Sequence, residues 1–189
     1  MCRLRGRGSG FVSNYVVLAR FDKEKSNQVN NLRKMLSDMG YPMPEWPPHI
    51  TIAAYENIDE KSLCNWTANF AAKHKKQKIA LNSLSILPPI GKHTETAVLC
   101  LDPAHSKSFV DFYYDFHQNY EEYCTGIGQY NSIINDNPVI HATIGVVNVK
   151  EIQKVLELIF SQNIFEFAEI NALEVYTYPM RLVERFELQ

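Results

Sequence analysis

Two histidines of this chain stand in the same short context, His49-Ile50-Thr51 and His141-Ala142-Thr143, and no other H-x-T tripeptide occurs. An imidazole titrates near neutrality, so one ring of such a pair can take a proton while the other gives one. A threonine hydroxyl can donate a hydrogen bond to a non-bridging phosphate oxygen and stabilise charge as it shifts in a transition state. Two imidazoles and two hydroxyls around one small space are therefore suited to phosphodiester chemistry, and they supply the proton transfers without a metal. A lone H-x-T carries little weight. A matched pair, each on an apolar segment and each preceded by a proline within three positions (Pro47-Pro48 and Pro138), carries far more.

The elements that must position these residues follow from periodicity and punctuation. Asn14 to Phe21 is a β-branched, apolar run that reads as a strand. Lys23 to Met39 reads as a helix with Val29, Leu32, Met35 and Leu36 on one face and Gly40 as its stop. Tyr41 to Pro48, with four prolines, reads as an extended loop, His49 to Tyr55 as a second strand, and Asp59 as the cap of a helix running to about His74. Ile79 to Leu87 is a third strand. The order then repeats: a strand at Thr96 to Leu101, and a helix at Ser106 to Tyr123 whose aromatic stripe, Phe109, Phe112, Tyr113 and Phe116, is core. A polar loop at Thr125 to Asn137, a strand at Val139 to Val147, a helix at Val149 to Phe160 and an extended run at Ile164 to Tyr178 complete it. Pro179 interrupts that run before a last strand at Arg181 to Leu188.

Written as units, this is strand, helix, strand, helix, strand, twice over, with approximate repeats at 14–87 and 96–178. Each histidine falls in the middle strand of its unit, and positions 49 and 141 are separated by close to half the 189-residue chain. Residues two apart on a strand share a face, so each histidine and its threonine point the same way. The fold class expected is α+β and bilobal. Two antiparallel sheets from a duplicated β-α-β-α-β unit face each other across a central cleft, with helices outside.

Composition sets the company such a site would keep. A chain that is 46% hydrophobic and 21% charged, with formal net charge -2, is an ordinary globular protein without the broad basic face that duplex DNA or long RNA demands. A nucleotide or short RNA end in one local pocket remains compatible with it. No apolar run is long enough to span a bilayer, and residues 1–10 are basic and glycine-rich without the apolar centre of a secretory signal, reading as a disordered arm or cloning remnant ahead of one bilobal domain at 11–189. The scattered Cys2, Cys64, Cys100 and Cys124 have no metal-binding spacing and read as reduced thiols, which fits a cytoplasmic protein, and nothing in the sequence demands more than a monomer. Tyr178 and Arg181, flanking Pro179, are secondary candidates for base stacking and phosphate contact, with Tyr15 and Tyr130 behind them. His93, His105 and His117 have no partner motif, and Asp111 and Asp115 read as solvated.

The paired motifs, their half-chain spacing and the repeated topology together resemble the 2H phosphoesterase superfamily, which includes the 2′-5′ RNA ligase-like proteins. The resemblance covers 14–188. It implies a bilobal fold with the motifs facing each other, catalytic roles for His49, Thr51, His141 and Thr143, and no cofactor or metal. It further implies phosphodiesterase action on 2′,3′-cyclic phosphates or 2′-5′ linkages, with ligation as the minor reverse reaction. Many members carry a basic residue shortly after the second motif, where this chain has Gly145 and Val146. Two other readings compete. A metal held by both histidines lacks a nearby acidic or thiol ligand on either strand. A non-catalytic module that binds a nucleotide or RNA end in the same cleft would have no need of two titrating rings.

Overall fold

The computed structural model describes residues 14–88, 95–135 and 138–189, so the basic arm at 1–10, with Cys2, and His93 lie outside the described residues. Seven strands and four α-helices are present among them: β1 (Asn14–Phe21), α1 (Lys23–Asp38), β2 (His49–Tyr55), α2 (Glu60–Ala71), β3 (Gln77–Leu87), β4 (Thr96–Pro103), α3 (Lys107–Phe116), β5 (Ala142–Asn148), α4 (Ile152–Phe160), β6 (Phe167–Tyr178) and β7 (Arg181–Glu187). The chain is α+β, and every strand pairing in it is antiparallel.

Across the sheet the order is β2-β1-β6-β3-β4-β5, with β7 added beside β6. β3 belongs to both lobes. Its first residues, Gln77 to Ala80, pair with β6, and its later ones, from Leu81 to Leu87, pair with β4. Hence the third strand of each β-α-β-α-β unit crosses over: β6 completes the lobe of β1 and β2, while β3 completes the lobe of β4 and β5. The two strands that carry the histidine motifs end up at opposite ends of the strand order, and the curl of the sheet brings β2 and β5 into contact.

Local chemistry fixes the helix ends. Asp22 and Asp59 accept hydrogen bonds from the backbone N–H groups of Lys25 and Ser62, each at 2.8 Å, and Ser106 caps α3. Gly40, at φ +93°, ends α1 in a conformation that a side chain would strain. The expected helix at Ser106 to Tyr123 stops at Phe116, and Glu121–Tyr123 form a separate 3-10 turn. Val139 to His141 lie outside the strand ladder, so β5 begins one residue after the histidine.

One apolar core lies beneath the sheets. The α3 stripe is core as read, and Phe70 of α2 meets Phe112 and Phe116 edge-to-face at 5.1 and 5.0 Å. Truncating any of these rings to alanine would cost about 3–5 kcal/mol. On α1 the buried face is Val29, Leu32, Arg33 and Leu36, whereas Met35 is exposed. A smaller apolar cluster, Val16, Leu18, Ala54 and Tyr176 with Trp46 and Ile127 against it, sits on the other face of the β1-β2-β6 sheet.

Candidate active site

Register decides which side chains share the face of that smaller cluster. β1 and β2 pair Arg20 with His49 and Leu18 with Thr51, but Val17 with Ala53, so Ile52 is an extra residue on β2. β4 and β5 pair Cys100 with Thr143 and Leu99 with Gly145, so Ile144 is the extra residue on β5. Both motifs thus read H-x-T-I, with the isoleucine bulged. A bulge shifts the alternation of faces and tightens the local twist. On β2 this carries Ala54, rather than Ala53, onto the side of His49 and Thr51, and Ala54 lines the cavity there.

That cavity has a volume of about 400 Å³. His49, Thr51, Thr143, Asn131 and Arg33 form its polar wall, and Trp46, Tyr178, Ile127, Leu18 and Val16 most of its apolar one. His49 is held by its own motif: its Nδ1 lies 2.6 Å from the Pro47 carbonyl and its Nε2 3.2 Å from Thr51 Oγ1. A carbonyl only accepts, so Nδ1 carries the proton and donates it there, which leaves Nε2 as the basic nitrogen. Burial pushes the His49 pKa down to about 4. The Pro47 carbonyl opposes that shift, and the charges of Arg33, Arg20 and a protonated His141 add to it.

His141 repeats the arrangement in looser form. Its Nδ1 is buried and closes no hydrogen bond of normal geometry with a described residue. The Val139 carbonyl, two residues upstream as Pro47 is of His49, nevertheless lies close enough to raise its proton affinity. Burial lowers the His141 pKa, while Val139 and the Asp102 carboxylate pull it back up. The His141 ring itself is not part of the cavity lining, which its Thr143 reaches, but its charge is felt at His49.

The secondary candidates scatter. Tyr178 lines the cavity and is half-exposed. Arg181 lies 3.9 Å from the Glu60 carboxylate, outside the lining. Tyr15 is buried in the main core with its hydroxyl on Glu60 at 3.0 Å, on the opposite face of β1 from Val16. Tyr130 is exposed, away from the cavity wall.

Several contributors were not singled out in the sequence. Trp46 packs edge-on to Tyr176 at 5.4 Å and lies 6.1 Å from the His49 ring, ring centre to ring centre. Asn131 Nδ2 reaches the Thr51 carbonyl at 3.5 Å, on the free edge of β2. Arg33 offered a legible signal, since it falls four residues after Val29 on the apolar face of α1, where a guanidinium needs a reason to be buried. His117, which has no partner motif, makes hydrogen bonds through both ring nitrogens. Its Nδ1 sits 2.5 Å from Glu121 Oε2, and its Nε2 sits 2.9 Å from the carbonyl of Ile52, the bulged residue that the ladder leaves unpaired. The Glu121 carboxylate also accepts from Ser132 Oγ and the Ile133 N–H. His117, Glu121 and Cys124 are the one group of metal-ligand type that comes together among the described residues, and their atoms already hydrogen-bond to one another and to β2. The segment 117–132 in this way covers the otherwise open edge of β2.

No family model and no curated protein sequence matches the chain. Solved structures that it resembles include Usb1 of Kluyveromyces marxianus, at 12% identity over 94% of this chain and 98% of that one, with a TM-score of 0.51. The same protein with uridine monophosphate gives 11% identity, 93% and 98% coverage and a TM-score of 0.50. LigT of E. coli, complexed with phosphate, gives 10% identity, 94% and 98% coverage and a TM-score of 0.51. Together with the two facing H-x-T-I strands, these likenesses establish that the chain has the fold of the 2H phosphoesterases.

Proposed function

We propose that this protein is a phosphodiesterase that cleaves small RNA-derived phosphodiesters, a 2′,3′-cyclic phosphate or a 2′-5′ linkage, by two-histidine acid–base catalysis. The observation that carries the reading is the fixed tautomer of His49, whose basic Nε2 shares a cavity of nucleotide size with the hydroxyls of Thr51 and Thr143. The likeness to proteins solved with uridine monophosphate and with phosphate supports a ligand of that class.

A difference between the two rings supports giving them distinct roles, His49 as base and His141 as acid. His49, pushed down to about 4, is neutral at physiological pH and able to accept a proton. Burial lowers the His141 pKa as well, but there the Val139 carbonyl and the Asp102 carboxylate oppose the shift where two arginines add to it at His49, and an anionic phosphate bound in the cleft would raise the proton affinity of His141. With a cyclic phosphate, His49 Nε2 takes a proton from water as its oxygen bonds to phosphorus. The bond to one ribose oxygen breaks, and that oxygen leaves with its electron pair and a proton from His141. The threonine hydroxyls donate to the non-bridging oxygens. With a 2′-5′ linkage the attacking group is the neighbouring 3′-hydroxyl and the departing oxygen is the 5′, which yields a cyclic phosphate end.

The test is turnover of a nucleoside 2′,3′-cyclic phosphate and of a 2′-5′-linked oligoadenylate in excess EDTA, with His49→Ala and His141→Ala alongside. Turnover that survives EDTA and falls by at least about 10³-fold in each variant is expected. A folded wild type that binds a mononucleotide without turning either substrate over would replace this reading with the binding module.

A further inference from the structure

Three consecutive carbonyls precede the first motif, those of Trp46, Pro47 and Pro48, and each is held by a different side chain. Arg33 Nη1 donates to Trp46 at 2.7 Å, His49 Nδ1 to Pro47 at 2.6 Å, and Arg20 Nε to Pro48 at 3.2 Å. Pro47 and Pro48 have no N–H to give to a ladder, and their carbonyls are taken by side chains, which thus help set where β2 starts and how the His49 ring is turned. Arg20 is anchored in turn by Glu174 at 2.5 Å. Arg33 does something its neighbours do not. Its other terminal nitrogen, Nη2, donates at 2.6 Å to the carbonyl of Thr143, the threonine of the second motif. A single guanidinium therefore spans from the segment entering one H-x-T motif to the backbone of the other. It does so from α1, which packs against β5 through Leu36 and Gly145.

We infer that Arg33, which belongs to neither motif, is the positioning residue that holds the two H-x-T strands at a fixed separation across the cleft. This rests on the two-histidine reading of the site. The rigid fork of a guanidinium is what the task requires, because two acceptors on different elements must be met at once by two nitrogens in one plane. The side chain is 2% exposed, so burying its charge must be offset, and the two carbonyls do part of that while Nε finds no partner among the described residues. The charged groups facing His49 are Arg20 from β1, Arg33 from α1 and His141 ahead of β5, with Glu174 of β6 paired to Arg20. Removing Arg33 thus also removes a positive charge that favours neutral His49.

The experiment compares Arg33→Lys and Arg33→Gln with wild type in two measurements. The first is the pH profile of kcat/KM for the substrate that wild type turns over. The second is an NMR titration of the His49 and His141 rings, which needs no turnover. A lysine keeps the charge but not the two-pronged reach, so Arg33→Lys should lose about 10²-fold in kcat with the acid limb of the profile unmoved. Arg33→Gln should lose at least as much, with the His49 titration and the acid limb both displaced to higher pH. Should the glutamine variant fail to fold, the lysine variant decides alone: a folded Arg33→Lys with wild-type kcat overturns the inference. So does an Arg33→Gln protein whose kcat and His49 titration match wild type. An inactive wild type refutes the acid–base reading instead, and the ring titrations then still report whether Arg33 sets the environment of His49.

Discussion

Lowering the pH should unfold this protein partly through one side chain, and the size of the effect can be worked out in advance. An unfolded histidine titrates near 6.5, and His49 in the folded chain near 4. Between those values the unfolded state binds the proton and the native state does not, so stability rises with pH there. Stability owed to the neutral ring is complete above pH 6.5 and is lost as pH falls toward 4. Going from pH 7 to pH 4.5 should cost about 2 kcal/mol through this ring alone, at 1.36 kcal/mol per pKa unit. His49→Gln removes the titration while keeping a polar side chain of similar length. Urea unfolding of both proteins at the two pH values isolates the ring together with its coupling to His141, because groups remote from it, including the lowered Glu174 and Asp59, contribute equally to both. The variant should lose about 2 kcal/mol less stability than wild type across that interval. Identical losses would mean that the native His49 accepts its proton as readily as the unfolded one, and the reasoning from burial would be wrong.

Other outcomes follow from neighbouring features. A Cβ on Gly128 would sit far closer to the Ala54 carbonyl oxygen, a backbone atom of β2, than van der Waals contact allows. Gly128→Ala should accordingly push Ile127 and Asn131 off the cleft, lowering both kcat/KM and Tm, and a crystal structure with that segment unmoved would disprove it. Trp46→Ala removes the largest apolar wall beside His49 and should raise KM for a nucleotide about tenfold with kcat less affected, as steady-state kinetics will show. The Tyr55 hydroxyl is buried and meets no hydrogen-bond partner among the described residues. Tyr55→Phe should therefore leave Tm unchanged or raise it, whereas a loss above about 1 kcal/mol would show that the hydroxyl is satisfied in solution.

The motifs and the alternation of elements were legible because each rests on local signals. His49 and His141 lie in short apolar segments after prolines, and Asp59 caps its helix as its type and place suggest. Pairing was not legible. The exchange of β3 and β6 between lobes depends on long-range partners that no window of sequence contains, and the bulges at Ile52 and Ile144 are defined only against β1 and β4. Arg33 and His117 were passed over for a related reason. The place of Arg33 on the apolar face of α1 marks it as buried, but neither its partners nor those of His117 can be read locally, because they include backbone carbonyls brought in from distant elements. Tyr15 and Tyr178 illustrate the limit of parity: both are strand tyrosines near the proposed site, and only the register places one in the core and the other on the cleft.

The crossing of the third strands has a consequence for how the chain can be divided. A lone β-α-β-α-β unit cannot close its own lobe, since the strand that completes its sheet is supplied by the other unit. Two such units translated as separate polypeptides would be expected to find each other by trading that strand, as in a reciprocal domain swap. An ancestor with one motif per chain would have been a symmetric pair with one histidine from each partner. Joining the copies in tandem lets the two halves drift apart in sequence, so that the surroundings of the two rings need no longer match.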